Sequence, residues 1–113
     1  MQIQINTDHN IDGREALVEH FRGVVAGALS RFSDHITRVE VHLSDQGGGD
    51  AGASSGQNDK RCMLEARIED RQPLAVTHQA ATLLQAVDGA ADKLSRVIEH
   101  TLGRAARSEG PQA

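Results

Sequence analysis

Apolar and polar residues alternate along four short stretches of the chain, and this period of two is typical of half-buried β-strands. The first stretch is MQIQINT, which places Ile3 and Ile5 on one face. The others are ITRVEVHLS, KRCMLEARIED and the shorter LAVTH. The inward residues predicted for these three strands are Val39, Val41 and Leu43, then Cys62, Leu64, Ala66 and Ile68, and finally Leu74 and Val76.

Two longer stretches repeat their apolar residues every three or four positions, which predicts amphipathic helices. The first has about five turns. Asp12 is its predicted N-cap, and Glu15 completes a capping-box pattern. Its apolar stripe consists of Leu17, Phe21, Val24, Ala28 and Phe32. The second helix is predicted from about Ala80 to Arg104, with the stripe Leu83, Leu84, Val87, Ala90, Leu94, Val97, Ile98 and Leu102.

Residues 45–59, DQGGGDAGASSGQND, separate the second and third strands. Five of these fifteen residues are glycine and none has a bulky apolar side chain. Such a stretch cannot bury enough surface to offset the entropy of ordering it. We therefore predict a long mobile hairpin loop rather than a linker between domains. Residues 108–113 contain no core residues and are predicted to form a disordered tail.

The predicted order of elements is β-α-β-β-β-α, and 113 residues suffice for one domain. Both helices are apolar on one side only, so both should cover the same face of a four-stranded, mostly antiparallel sheet. The opposite face carries polar residues and is predicted to be exposed, as antiparallel sheets allow. The fold class is therefore an α+β two-layer sandwich that spans residues 1–107.

The composition restricts the partners that the chain can bind. A net charge of -4, from 12 Lys and Arg against 16 Asp and Glu, argues against avid non-specific nucleic-acid binding but allows a basic patch. Phe21 and Phe32 are the only Phe, Tyr or Trp residues and are needed in the core, which argues against RNA binding by base stacking. A single cysteine, no secretion signal and no apolar run of about 18 residues predict a cytoplasmic protein without membrane contact.

No catalytic or metal-binding motif emerges from the pattern. The six histidines make no HExxH or other short ligand pair, and His78 is predicted to be structural, at the end of the fourth strand. Cys62 is predicted to be a buried, unreactive thiol without a histidine partner. Glu65 and Glu69 are predicted on one strand face, either side of Arg67, where a flat sheet offers no pocket for an acid/base pair. We expect no enzyme, no cofactor and no small-molecule substrate.

Basic residues on the last helix are the remaining candidates. Lys93 and Arg96 lie three positions apart, among Asp88, Asp92 and Glu99. Asp92 precedes Arg96 by four residues, a spacing that stabilises helices through an ion pair. From periodicity alone, the basic residues either solvate the helix or bind an anion.

The last helix also resembles a family signature. In AVDGAADKLSRVI, the residues Asp88, Asp92, Lys93, Leu94 and Arg96 match the last-helix pattern of the ribosome hibernation promoting factor and ribosome-associated inhibitor family. The stretches MQIQI, REALVEHFRG and ITRVEVHLS agree with the same family, as does the order of elements. The resemblance extends from residue 1 to about residue 104.

The resemblance implies a function. Members of that family bind the small ribosomal subunit and its 16S rRNA in the channel for messenger RNA and transfer RNA, which blocks translation in starved cells. The chain stops after the last helix and so resembles the short form of the family. It departs from the family at VIEHTLGRAAR, where Glu99, His100 and Leu102 replace part of a lysine-rich continuation.

The predicted RNA contacts are Lys93 and Arg96, because these two residues match the motif itself. Charge and expected exposure add Arg104, Arg22, Arg38, Lys60 and Arg61. The alternative is a divergent binding module on the same fold, with a protein partner and no ribosome binding, which the acidic balance favours. A contiguous positive stripe would support RNA, and interspersed signs would support a protein. We expect a monomer or a weak homodimer.

Overall fold

A computed structural model describes residues 1–7, 15–45 and 60–109, with only the backbone described for 104–109. The elements follow the predicted order β-α-β-β-β-α, which confirms the α+β class. The predicted cap at Asp12, residues 46–59 of the predicted loop and residues 110–113 of the predicted tail lie outside the described residues. The bounds are β1 Gln2–Thr7, α1 Glu15–Leu29, a 3-10 helix Ser30–Phe32, β2 Ile36–Asp45, β3 Lys60–Ile68, β4 Leu74–Ala80 and α2 Leu83–Glu109.

The four strands form one sheet in the order β1-β2-β3-β4. The connection through α1 makes β1 parallel to β2, while β2, β3 and β4 pair antiparallel. Ile3 lies opposite Val39, and Val39 lies opposite Ala66. Leu64 is in turn opposite Val76. The register therefore collects the predicted inward side chains on one face.

Both helices cover that face, as predicted, and the core lies between them and the sheet. The inward residues predicted for β2 and β3 are all buried, while Leu74 and Val76 of the edge strand β4 are partly buried. The other face of the sheet is the open face. It carries Gln2, Gln4 and Asn6 of β1, Arg38, Glu40, His42 and Ser44 of β2, Arg61, Met63, Glu65 and Arg67 of β3, and Ala75, Thr77 and Gln79 of β4.

The helix α1 is shorter than predicted and buries a different stripe. Phe21, Val25 and Leu29 are buried, at a spacing of four. Leu17 was predicted to face inward, but it is 37% exposed. The α-helix ends at Leu29 and a 3-10 turn follows, in which Phe32 is buried as predicted, three positions after Leu29 on the same side. Val24 and Ala28 are partly buried.

The helix α2 begins three residues later than predicted, because Thr82 caps it. The Thr82 Oγ1 accepts a hydrogen bond from the Gln85 backbone N–H at 3.1 Å, as an N-cap residue does. In the stretch TLLQ, Thr82 and Gln85 have the spacing of a capping box, so the sequence contains a signal for the start of α2. The helix continues to Glu109, two residues into the stretch predicted as a tail.

Two residues of the predicted α2 stripe face outward. Leu84 is 41% exposed and Val97 is 37% exposed, so their predicted inward positions are wrong. Ala86 and Ala91 are buried instead. The apolar stripe of a surface helix is broad, and the side that reaches the sheet is decided by how closely the backbone can approach it. Small alanine side chains permit that close approach.

Candidate nucleic-acid interface

Lys93 ties α2 to the sheet. Its Nζ donates a hydrogen bond to the backbone oxygen of Thr77 at 2.8 Å. Thr77 belongs to β4, an edge strand of the sheet, where backbone groups without a neighbouring strand need other partners. The first residue of the predicted RNA-binding pair therefore has a structural contact of its own.

Arg22 makes the equivalent contact from the other helix. Its Nη1 donates to the backbone oxygen of Ile3 in β1, the opposite edge strand. Its Nε also lies 3.2 Å from the Glu19 Oε2, one turn earlier on α1. Each helix thus sends one cation to an edge strand of the sheet.

Arg96 differs from Lys93 in its exposure. Its side chain is 77% exposed, and its Nη2 lies 3.0 Å from the Asp92 Oδ2, at the predicted spacing of four residues. An exposed ion pair of this kind stabilises a helix by only about 0.3–0.5 kcal/mol. Arg96 can therefore exchange Asp92 for an external anion at little cost. The side chain of Arg104 lies outside the described residues.

Arg38 lies on the open face and is held there by its neighbours. Its Nη2 donates to the side-chain oxygen of Gln4, and its Nε is 3.2 Å from the Glu40 Oε2. The angle at Nε does not suit a hydrogen bond, and this buried nitrogen has no other partner. The contact with Glu40 is therefore an ion pair by distance only. Glu40 is shared, because its Oε1 lies 3.4 Å from the His42 Nε2.

Lys60 and Arg61 face opposite sides of β3, because successive residues of a strand alternate in direction. The Lys60 Nζ lies 3.4 Å from the Asp45 Oδ1, and both side chains are partly buried. Arg61 is on the open face, in register with Ser44 and Gln79. In the ranges that the structure describes, no acidic side chain lies within 4 Å of the Arg61 guanidinium.

The predicted contacts do not form one stripe. Lys93 and Arg96 lie on α2 and Arg22 on α1, while Arg38 and Arg61 lie on the opposite side of the sheet. Positive and negative side chains are interspersed. Among the residues that the structure describes, the Lys and Arg side chains within 4 Å of a carboxylate are those of Arg22, Arg31, Arg38, Lys60 and Arg96.

The prediction that Glu65 and Glu69 share one face of β3 is wrong. The strand ends at Ile68, so Glu69 lies in the turn that follows and does not share a strand face with Glu65. The register instead places Glu65 directly opposite Glu40 of β2. Pattern within one strand cannot reveal this neighbour, because it depends on the register between two strands.

The remaining chemical groups do not make a reactive centre. Burial raises the pKa of the Cys62 thiol to about 12, so it is neutral and a poor nucleophile at physiological pH. His78 lies opposite Cys62 in the register, a neighbour that the sequence did not predict. Within the described ranges, no group of His, Cys, Asp and Glu side chains is arranged to hold a metal ion.

A shallow cleft lies away from the open face, between the β3–β4 turn and α2. Its lining consists of Asp70, Arg71, Gln72, Leu74 and Thr101.

In the part of the chain that the structure describes, neither helix is both long enough and apolar enough to cross a membrane.

The chain is similar to known proteins over most of its length. A model of the family described as Sigma 54 modulation protein / S30EA ribosomal protein matches residues 3–105. The fold resembles that of the N-terminal domain of Protein Y from Thermus thermophilus, with 21% identity, a TM-score of 0.68, and coverage of 89% of this chain and 99% of that one.

A second similar structure is a ribosomal subunit interface protein from Coxiella burnetii, with 16% identity, a TM-score of 0.58, and coverage of 91% of this chain and 99% of that one. These low identities support the fold alone. No curated protein matches the chain. The family model, in contrast, matches residues 3–105, which is nearly the whole chain. The chain therefore belongs to the Sigma 54 modulation protein / S30EA ribosomal protein family.

Proposed function

We propose that this protein binds the small ribosomal subunit and occupies the channel for messenger RNA and transfer RNA, which stops translation under stress. The family match over residues 3–105 carries the proposal, because the family consists of ribosome-associated hibernation and modulation factors. The similar Coxiella protein is described as a ribosomal subunit interface protein, which supports the ribosome as the partner. The site of action is then the cytoplasm, where ribosomes translate.

The mechanism is steric occupancy rather than catalysis. The family is one of ribosome-binding factors and not of enzymes. A rigid two-layer domain that fills the channel excludes transfer RNA by volume alone. Phosphate contacts then only need to hold the domain in place.

Arg96 is the residue of α2 best placed to make such a contact. It matches the family motif, is 77% exposed, and gives up only a weak ion pair with Asp92. Lys93 keeps its hydrogen bond to Thr77 while its remaining N–H groups can still donate to a phosphate. With a net charge of -4, the protein relies on few phosphate contacts, so binding should weaken with salt but not steeply.

Co-sedimentation with purified small ribosomal subunits at low and moderate salt tests the proposal. We expect the wild-type chain to sediment with the subunits at low salt and less so at moderate salt. The variant Arg96→Glu should bind more weakly. Arg71→Glu is the matched control, because Arg71 is an exposed cation in the β3–β4 turn, away from α2's motif and from the open face.

An equal loss of binding in the two variants would show that overall charge, and not the motif, sets the affinity. A wild-type chain that fails to sediment at either salt would contradict the proposal. The second candidate function, a binding module with a protein partner, would then be favoured. One observation supports that candidate, namely that positive and negative side chains alternate over the described surface.

A further inference from the structure

The charges of the described elements are not distributed as the sequence motif suggests. By sequence, α1 and α2 together carry five Lys and Arg against six Asp and Glu. The open face carries three arginines, Arg38, Arg61 and Arg67, against Glu40 and Glu65. Arg31 of the 3-10 helix, which pairs with Glu99 of α2, brings the helical layer to six of each sign. Among the described elements, the side with an excess of positive charge is therefore the open face of the sheet, by one charge.

Two of the three arginines on the open face are not engaged with an acidic side chain among the described residues. In the described part of the chain, Arg61 and Arg67 lie more than 4 Å from every acidic side chain, whereas Arg22 and Arg96 on the helices are each within 4 Å of one. Arg67 is also exposed. An unpaired exposed guanidinium needs no internal contact to be broken before it binds a phosphate.

Arg67 and Arg38 lie directly opposite each other on β3 and β2. Like charges in this arrangement destabilise a sheet. An anion between them would remove the repulsion, and arginine binds phosphate oxygens in a bidentate manner.

The border of the open face suits a nucleic acid. Its β1 side consists entirely of amides, with Gln2, Gln4 and Asn6 in register with the polar residues of β2. Amide side chains donate hydrogen bonds to phosphates and to base edges. The two glutamates in the middle, Glu40 and Glu65, repel phosphate but accept hydrogen bonds from base amino groups.

We propose that the open face is a second RNA-binding surface, on which Arg67, with Arg38 beside it, and Arg61 contact phosphates at the two ends of the face. The proposal rests on the proposed function, since it takes ribosomal RNA as the partner. Six residues separate Arg61 from Arg67 on one strand, or about 20 Å, so the two arginines contact separate phosphates. The surface is independent of Arg96, which lies across the molecule on α2.

The test is the salt dependence of the Kd for small ribosomal subunits. Each phosphate contact contributes about 0.7–0.9 to the slope of log K against log salt. The double variant Arg61→Gln, Arg67→Gln should therefore reduce the slope by about 1.4–1.8 relative to the wild-type chain. Arg71→Gln removes an exposed cation of the β3–β4 turn instead, and should leave the slope unchanged.

The outcomes separate this proposal from the one on which it rests. Absence of wild-type binding contradicts the proposed function and the open-face surface together. Binding with an unchanged slope in the double variant contradicts the open-face surface alone. Binding that is equally weakened in Arg71→Gln also contradicts it, because the effect is then one of total charge.

A direct measurement does not depend on these variants. Met63 lies at the centre of the open face, and the buried Cys62 beside it has a pKa raised to about 12 and is unreactive. A photo-crosslinker attached to Met63→Cys at neutral pH should therefore label this face alone. We expect cross-links to 16S rRNA in the complex; cross-links to ribosomal proteins only would overturn the proposal.

Discussion

At Gly89, α2 approaches the sheet so closely that no side chain fits. A Cβ atom at this position would lie 2.1 Å from the His78 Cδ2. We predict that Gly89→Ala reduces the free energy of unfolding by about 1–3 kcal/mol, because the helix or the imidazole must shift. Urea denaturation of the variant and of the wild-type chain measures the difference.

Two other helical glycines serve as controls. Nothing lies within 4 Å of a Cβ at Gly23 or Gly27 of α1. Gly27→Ala should therefore stabilise the protein by about 0.5–1 kcal/mol, through the better helix propensity of alanine. Equal effects at Gly27 and Gly89 would show that the contact with His78 does not limit α2.

Cys62 should give the protein a pH dependence in the alkaline range. Burial raises the pKa of its thiol from 9.0 to about 12, so above pH 9 the unfolded chain releases a proton that the folded chain keeps. The free energy of unfolding then falls as the pH rises above 9, by about 1.4 kcal/mol between pH 8 and pH 10.

Denaturation at pH 8 and pH 10 tests this, with Cys62→Ala as the comparison. The variant should be less stable at pH 8, because the substitution removes a buried sulfur atom. Its free energy of unfolding should fall less between pH 8 and pH 10, because it has no thiol to lose a proton. An identical decline in the two proteins would mean that the Cys62 thiol does not cause it.

At the scale of elements, α2 contributes to stability through one side only. Leu94 is fully buried, whereas Leu84 is 41% exposed. Leu94→Ala should cost about 2–5 kcal/mol of unfolding free energy, and Leu84→Ala less than about 1 kcal/mol. The comparison is matched, because both variants make the same change on the same helix. Similar costs at both positions would contradict the orientation of α2 on the sheet.

The contact between α2 and β4 through Lys93 is a second property of these elements. Lys93→Met keeps most of the aliphatic chain but removes the hydrogen bond to the Thr77 backbone oxygen. We expect a loss of about 1 kcal/mol in the free energy of unfolding. Arg96→Met, which breaks an exposed ion pair, should cost about 0–0.5 kcal/mol. Urea denaturation of the two variants measures both costs. Equally small costs would show that the hydrogen bond of Lys93 does not stabilise the fold.

At the scale of the whole molecule, steric occupancy predicts competition. A domain that fills the channel cannot bind while messenger RNA and transfer RNA occupy it. We expect small subunits loaded with both RNAs to bind less of the protein than empty subunits, in a sedimentation assay at constant salt. Equal binding to loaded and empty subunits would place the protein elsewhere on the ribosome.

The elements and their order were predictable from local pattern. Alternation in β2 and β3 identified the residues that are buried, such as Val41 and Leu64, because side-chain direction in a strand has a period of two. The motif around Lys93 and Arg96 indicated the family that the match over residues 3–105 shows. The start of α2 also has a local signal, the capping-box spacing of Thr82 and Gln85.

What lies side by side was decided by tertiary structure. The register placed Glu65 opposite Glu40 and Arg67 opposite Arg38, and neither pair can be read from one strand. Packing turned Leu84 outward, since an apolar stripe is wider than the surface that a helix buries.

Sequence alone thus determined the order of the elements and the family, since local periods and motifs are written in neighbouring residues. Tertiary structure decided which cations are engaged and which are available. Lys93 reaches a backbone oxygen 16 positions away in sequence, and Arg61 has no acidic neighbour within 4 Å in the described ranges. Charge pairing depends on distances through space, which the chain sets only when strands and helices pack together.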